Sequence, residues 1–246
     1  MGRLNWQLAE VINTQVETTR TRSMQLAVPT WPGHRSGQHV DVRLTAEDGY
    51  RVERSYSIAS PPEEHHRVTL TVERLDDGEV SPYLTEELRV GDGLELRGPI
   101  GGYFVWDAAM GGPLLLVAGG SGIVPLMAML RHRAVVGSIV PARLFYSSRS
   151  FEEVIYRDEL DRLEKSSKML EVVYTLTREH PPGWTGYTRR IDTQMLREVA
   201  WEPDRLPLMF ECGPTPFVET TAASLVALGH GPARIKTERF GPTGDT

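Results

Sequence analysis

Residues 114–125 read Leu114-Leu115-Leu116-Val117-Ala118-Gly119-Gly120-Ser121-Gly122-Ile123-Val124-Pro125. An unbroken aliphatic run of this length fits a strand buried on both faces, as in a parallel sheet. The glycines that follow make a tight turn, and Pro125 suits the first turn of a helix. Strand, bare-amide turn and helix start, in that order, present N–H groups to a phosphate. The turn lacks the lysine of a P-loop and departs from G-x-G-x-x-G, which disfavours hydrolysis of a nucleoside triphosphate. Taken alone it is equally an ordinary strand-to-helix turn. Cys212-Gly213-Pro214 shifts the reading, because it closes a second apolar run. In open α/β sheets ligands gather at the carboxyl ends of strands, where both segments fall.

Working outward, strands are expected at 114–118, 143–146, 171–177, 208–212 and 234–237. Helices are expected between them at 125–132, 152–165, 193–200 and 216–228, the last stopped by Gly229. This alternation predicts a parallel sheet with crossover helices. Before about residue 105 the pattern is instead short β-rich runs between turn residues, at 8–17, 23–28, 38–44, 53–58, 67–74 and 93–98. Six such strands suggest a small antiparallel barrel. A short helix is expected from Ser81, as N-cap, with Pro82 at its first position. Small residues and glycines at 107–112 mark a boundary, giving domains at 1–107 and 108–246.

Charge and composition narrow the function. With 27 Lys+Arg against 33 Asp+Glu the net charge is −6, which argues against non-specific nucleic-acid binding. No run approaches the ~20 apolar residues of a membrane span, and residues 1–7 lack the apolar core of a secretory leader. A soluble, cytoplasmic chain is therefore expected, with no membrane association. The single cysteine rules out an intrachain disulfide and a cysteine-ligated iron–sulfur cluster within the chain. The seven histidines, adjacent His65 and His66 included, show no metal-site spacing, so no metal is expected.

Two barrel segments and one near the C-terminus complete the pattern. Arg54-Ser55-Tyr56-Ser57 ends a strand whose alternation turns Arg54 and Tyr56 to one side and Ser57 to the other. Alone it reads as a half-exposed strand. Further on, Gly78-Glu79-Val80-Ser81 sets a turn glycine before a helix cap, a second phosphate-type site. Glu238-Arg239-Phe240-Gly241 follows the last expected strand. In this order and spacing the segments resemble the ferredoxin–NADP reductase superfamily, most of all the flavoprotein reductase components of multicomponent oxygenases. The resemblance covers nearly the whole chain.

That resemblance implies an N-terminal six-stranded Greek-key FAD-binding barrel followed by a parallel-sheet NAD(P)-binding α/β domain. Arg54 would pair with a flavin phosphate, Ser55 would belong to the same flavin segment, Tyr56 would pack on the ring system, and Ser57 would hydrogen-bond near flavin N5. Val72 and Arg74 would line the ribityl and adenosine side. Gly78, Val80 and Ser81 would cap the pyrophosphate, which favours FAD over FMN. The Gly98-Pro99-Ile100-Gly101 turn would close the barrel. Gly120, Ser121 and Gly122 would take the nicotinamide dinucleotide, with Cys212 and Gly213 beside its ring. Glu238 would position the nicotinamide or manage protons, and Phe240 would cover the flavin. Ser57, Cys212 and Glu238 form the catalytic set.

The chain departs from many oxygenase reductases in carrying no ferredoxin domain, as the cysteine count requires. Only five residues follow Gly241, unlike the longer plastid-type tail. The leading reading is an FAD-dependent NAD(P)H oxidoreductase passing single electrons to a separate ferredoxin-type iron–sulfur protein or oxygenase component, the chain itself a monomer. A free-flavin or quinone reductase of the same fold is the alternative within enzymes. A non-catalytic flavin- or nucleotide-binding regulatory subunit is the alternative outside them. Tyr146-Ser147-Ser148-Arg149-Ser150 has no acid before Glu152 to grip a ribose 2′-hydroxyl. Ser148 and Arg149, with Thr177 and Arg178 at the next strand end, therefore favour NADPH over NADH.

Overall fold

The computed structural model describes residues 4–241. The first three residues of the segment read for a leader, and the tail after Gly241, lie outside them. By packing, the chain divides into two compact units. One comprises the residues up to Trp106 together with Met127–Val135, the other Asp107–Leu126 together with Val136 onward.

The first unit is built on six strands, β1 (Trp6–Thr18), β2 (Thr21–Ala27), β3 (His39–Thr45), β4 (Arg51–Ser57), β5 (Arg67–Glu73) and β6 (Gly93–Ile100). They pair antiparallel in the order β4-β3-β6-β1-β2-β5. An antiparallel bridge between Ile58 and Leu70 links the two ends of that order. Alternation sends Val40 and Val42, Val68, Leu70 and Val72, and Leu94 and Leu96 into one interior where each is at most 1% exposed. Each such side chain contributes about 1.5–3 kcal/mol by leaving water.

Two local expectations in this unit are corrected. Gly98 to Ile100 belong to β6 and not to a turn, because the bare Gly98 backbone packs against β3; a Cβ there would come within 2.8 Å of Val40 Cγ1. The chain turns at Gly101, whose φ is +96°. Ser81 does not cap the short helix. Its hydroxyl accepts from Leu75 N–H at 3.0 Å, drawing it back onto the preceding loop. The helical turn Tyr83–Glu87 is of the wider π type, with Leu88 N–H donating to Tyr83 O. So short a turn offers no anion site of its own.

The second unit holds the parallel strands β7 (Leu114–Gly119), β8 (Ala142–Ser148), β9 (Leu170–Leu176), β10 (Leu208–Pro214) and β11 (Ile235–Phe240). Their order is β11-β10-β7-β8-β9, so the direction of winding reverses between β7 and β10. Every residue of β7 is buried, as its aliphatic run requires. The helices are α1 (Ile123–Val135), α2 (Arg157–Ser166), α3 (Thr193–Val199) and α4 (Thr215–Ala227). Past the end of α4, Gly229 takes φ +96°, with Gly229 N–H bonding Val226 O and His230 N–H bonding Leu225 O, a glycine stop as expected. Helix α2 begins five residues later than the expected 152. The sequence from Phe151 to Tyr156 buries Val154, Ile155 and Tyr156 in turns, and Ile155 N–H donates to Tyr146 Oη. Tyr156 sits at φ +60°, a conformation that breaks a helix.

Candidate functional site

The reversal between β7 and β10 is where an open α/β sheet opens a crevice for ligands. The glycine turn leaves β7 there, and Cys212-Gly213-Pro214 ends β10 beside it. Their approach is close: a Cβ on Gly122 would lie 2.0 Å from Cys212 O and 2.8 Å from Gly213 N. Gly120 needs its glycine for another reason, a φ of +55°. Ser121, between them, makes no side-chain hydrogen bond among the described residues. Gly119 and Gly213 share a third constraint that the motifs do not reveal. The ring of Phe217, in the first turn of α4, would stand 3.0 Å and 2.7 Å from a Cβ at those positions.

Cys212 pairs in register with Glu238 across β10 and β11. The thiol is 2% exposed, and burial pushes its pKa up, with the nearby Glu238 charge adding to the rise. It is therefore a protonated lining group and not a nucleophile, since reactivity belongs to the thiolate. Burial likewise pushes the Glu238 carboxyl up to about 7, where it can hold or release a proton near neutrality. Phe240, at the end of β11, pairs with Pro214 and is 37% exposed.

At the end of β8, the exposed Arg149 reaches Glu153 at 3.9 Å, and its carbonyl accepts from the N–H of the also exposed Arg178. The structure so brings two exposed arginines to neighbouring strand ends. Ser148 is corrected: it is buried, and its carbonyl takes both the N–H and the hydroxyl of Thr177. Neither side chain is poised for a phosphate. Phe151, Tyr174 and Trp184 pack as an aromatic group in the same unit, with Phe151 only two residues beyond Arg149.

In the barrel unit, β4 and the 78–81 turn meet. Arg54 Nη2 lies 3.5 Å from Glu79 Oε2, both side chains more than half exposed. So exposed a pair is worth at most about 1 kcal/mol, and a phosphate can displace the carboxylate. A Cβ on Gly78 would lie 2.9 Å from Ser81 Oγ and 3.1 Å from Leu75 O, so this turn has room for nothing larger than glycine. Tyr56 rests against the barrel core, and burial pushes its phenol up to about 12. Ser57, half-buried, has an uncommitted hydroxyl among the described residues. A positive arm, a half-buried aromatic face, a free hydroxyl and a bare-backbone turn are the donor set an FAD requires.

Four barrel positions differ from expectation. Val72 and Val80 turn inward at 1% exposure, so only their backbones can face a ligand. Ser55 donates to Asp41 Oδ1 at 2.7 Å on the strand face opposite Tyr56. Arg74 is engaged by Asp76 and Glu86, so its charge is already balanced.

The chain is similar to known proteins over both units. Residues 9–105 match the oxidoreductase FAD-binding domain family and residues 116–223 the oxidoreductase NAD-binding domain family. The chain is 36% identical over 181 residues to ferredoxin–NADP reductase B of Sorangium cellulosum, covering 72% of this chain and 73% of that one. It is 31% identical over 245 residues to the glycine betaine monooxygenase reductase subunit of Chromohalobacter salexigens, covering 98% of this chain but 65% of that protein's length. The FAD/NAD-binding domain of a nitric oxide dioxygenase from Vibrio cholerae superposes with a TM-score of 0.84 at 26% identity, covering 96% and 99% of the two chains. The chain belongs to the ferredoxin–NADP reductase superfamily, with an FAD-binding and an NAD-binding oxidoreductase domain.

Proposed function

We propose that the chain is an FAD-dependent oxidoreductase that accepts hydride from NADPH or NADH and passes single electrons to a separate ferredoxin-type iron–sulfur protein or oxygenase component. The observation that carries the coenzyme half is the meeting of the glycine turn with Cys212-Gly213-Pro214 at the reversal of the sheet. When bound, the flavin supplies the conversion of a two-electron donor into one-electron delivery. Arg54 and the 78–81 turn hold its phosphates, Tyr56 offers a packing face, and Ser57 donates a hydrogen bond. Protonated Cys212 lines the nicotinamide position without competing as a nucleophile, and Glu238 holds a proton beside it. The names of the relatives, a monooxygenase reductase subunit and a ferredoxin–NADP reductase, support a protein acceptor. Domains at 1–107 and 108–246, a monomeric state and a cytoplasmic location belong to the same proposal. Among the described residues no helix is long and apolar enough to cross a membrane.

The test is an anaerobic absorbance spectrum before and after NADPH or NADH. A flavin spectrum that bleaches is expected, with FAD released by acid. Released FMN, or no flavin from carefully prepared protein, overturns the cofactor assignment. Full-speed reduction of free flavins or quinones with no protein partner overturns the acceptor.

Coenzyme choice gives a separate prediction. The Arg149–Glu153 pair is weak enough for a 2′-phosphate to displace, and a charge-assisted bond of ~1.5–3 kcal/mol corresponds to roughly 10–150-fold in affinity. Arg149→Ala should raise KM for NADPH by that factor and leave NADH nearly untouched. Equal effects on both coenzymes in steady-state kinetics would remove this loop from phosphate recognition.

A further inference from the structure

Glu211 is the one acidic residue within the apolar stretch 208–212, and it is 0% exposed. It lies on the face of β10 opposite Cys212. Its Oε2 is 2.5 Å from Thr221 Oγ1 of α4, and its equally buried Oε1 has no hydrogen-bond partner among the described residues. The hydroxyl of Thr221 has a single proton but three oxygens in reach: Glu211 Oε2, Phe217 O at 3.1 Å and Val218 O at 3.2 Å. If Glu211 were ionised, that proton would go to Oε2, leaving a buried anion with one oxygen unserved, an arrangement of high cost. If Glu211 carries a proton, its O–H donates to Thr221 Oγ1. The Thr221 O–H is then free for Phe217 O, and no charge is buried.

We infer that Glu211 is a neutral carboxylic acid and a positioning residue, whose proton ties β10 to the first turns of α4 and so holds the segment Cys212-Gly213-Pro214 in place for the coenzyme. The coupling is short in the chain, since α4 begins one residue after Pro214. Phe217, whose carbonyl receives the Thr221 hydroxyl, also places its ring against Gly119 and Gly213. The functional part rests on the dinucleotide reading proposed above. The protonation part does not.

The surroundings favour the neutral form. Burial pushes the carboxyl up to about 7. In register, β7 offers Val117 and β11 offers Thr237, neither of them charged. On this face β11 carries Arg239, two positions further along, and α4 carries Glu219, while Arg143 of β8 and Glu171 of β9, two or more strands away, pair with each other at 2.6 Å. Arg239 and Glu219 pair with each other at 2.7 Å, which limits what Arg239 can do for an anion at Glu211. Lys236 and Glu238 alternate to the other face of the sheet.

The experiment compares the wild type with Glu211→Gln, whose amide can still donate to Thr221 but cannot titrate. The folded acid holds its proton up to about 7 where the free acid releases it at 4.5. Between those values the folded state binds more protons, so its stability falls as pH rises through that window and levels off above it. Glu238 titrates in both proteins and cancels in the comparison. From pH 5 to pH 8, Glu211→Gln should gain on the wild type by at least about tenfold in the folded-to-unfolded ratio. KM for NADH, which has no 2′-phosphate to titrate, should rise between pH 6 and 8.5 more in the wild type than in Glu211→Gln, the Glu238 contribution being common to both. The excess should be about two- to tenfold, the size of one buried hydrogen bond, with kcat little changed.

Parallel stability profiles for the two proteins would overturn the neutral acid, whether or not the protein oxidises NADH. Divergent stability with identical KM profiles would confine Glu211 to folding and overturn the positioning role. Should Glu211→Gln fail to fold, infrared spectra of Thr221→Val and the wild type at pH 6 decide. A shifted protonated-carboxyl band supports the bond to Thr221, and an unchanged band overturns it.

Discussion

Replacing Ser57 by alanine is expected to slow reduction of the bound flavin by about a hundredfold at saturating coenzyme, while coenzyme affinity barely moves. The hydroxyl is half-buried at the end of β4 and, among the described residues, committed to no protein acceptor. It can therefore donate to charge that develops on a bound group without first breaking another bond. A polar contact made where charge appears, in a site closed to water, is commonly worth that much. The serine is not fully buried and its hydroxyl has no partner among the described residues, so stability should change by under about 0.5 kcal/mol. Rapid mixing of the flavin-loaded variant with NADPH measures the step directly. An unchanged rate would remove Ser57 from the catalytic set.

Gly122→Ala should abolish useful coenzyme binding. The added methyl would stand 2.0 Å from Cys212 O and 2.4 Å from its carbonyl carbon, both of them backbone atoms of a central strand. A flexible side chain could swing aside, but a strand paired on both edges cannot. Overpacking of this kind costs about 3 kcal/mol or more. The cheapest relief is to push the turn out of the crevice, which would weaken coenzyme binding by about a hundredfold or more. Titration with NADP⁺ and a thermal melt should show lost affinity with a barrel unit that still folds and still binds flavin. Wild-type affinity in this variant would mean that the turn does not hold the dinucleotide.

The sequence made legible whatever depends on period and punctuation. The aliphatic run at 114–118 could only be a strand covered on both sides, and Gly229 could only stop a helix. Burial of particular side chains at strand ends was not legible. Ser148 sits inside because β8 runs one turn of alternation further than its apolar residues suggest. Val72 and Val80 look like any β residues until barrel closure decides which face is the interior. The late start of α2 was hidden because Val154, Ile155 and Tyr156 match a helical pattern while actually burying themselves as turns. Phe217 gave no local sign either, since the two glycines it covers lie on different strands. Glu211 did leave a trace: an acid within an apolar parallel strand announces a buried carboxyl, and only its hydrogen-bond geometry explains what it does there.

The state of Cys212 has a practical side. This is the chain's sole thiol, 2% exposed and held protonated by its surroundings, so maleimides and iodoacetamides should leave the folded protein untouched. A cysteine placed at an exposed position such as Leu75 or Tyr103 would then be the single point of attachment for a spin label or fluorophore, with the native cysteine left where it is. Conformational spectroscopy on this protein needs no cysteine-free background.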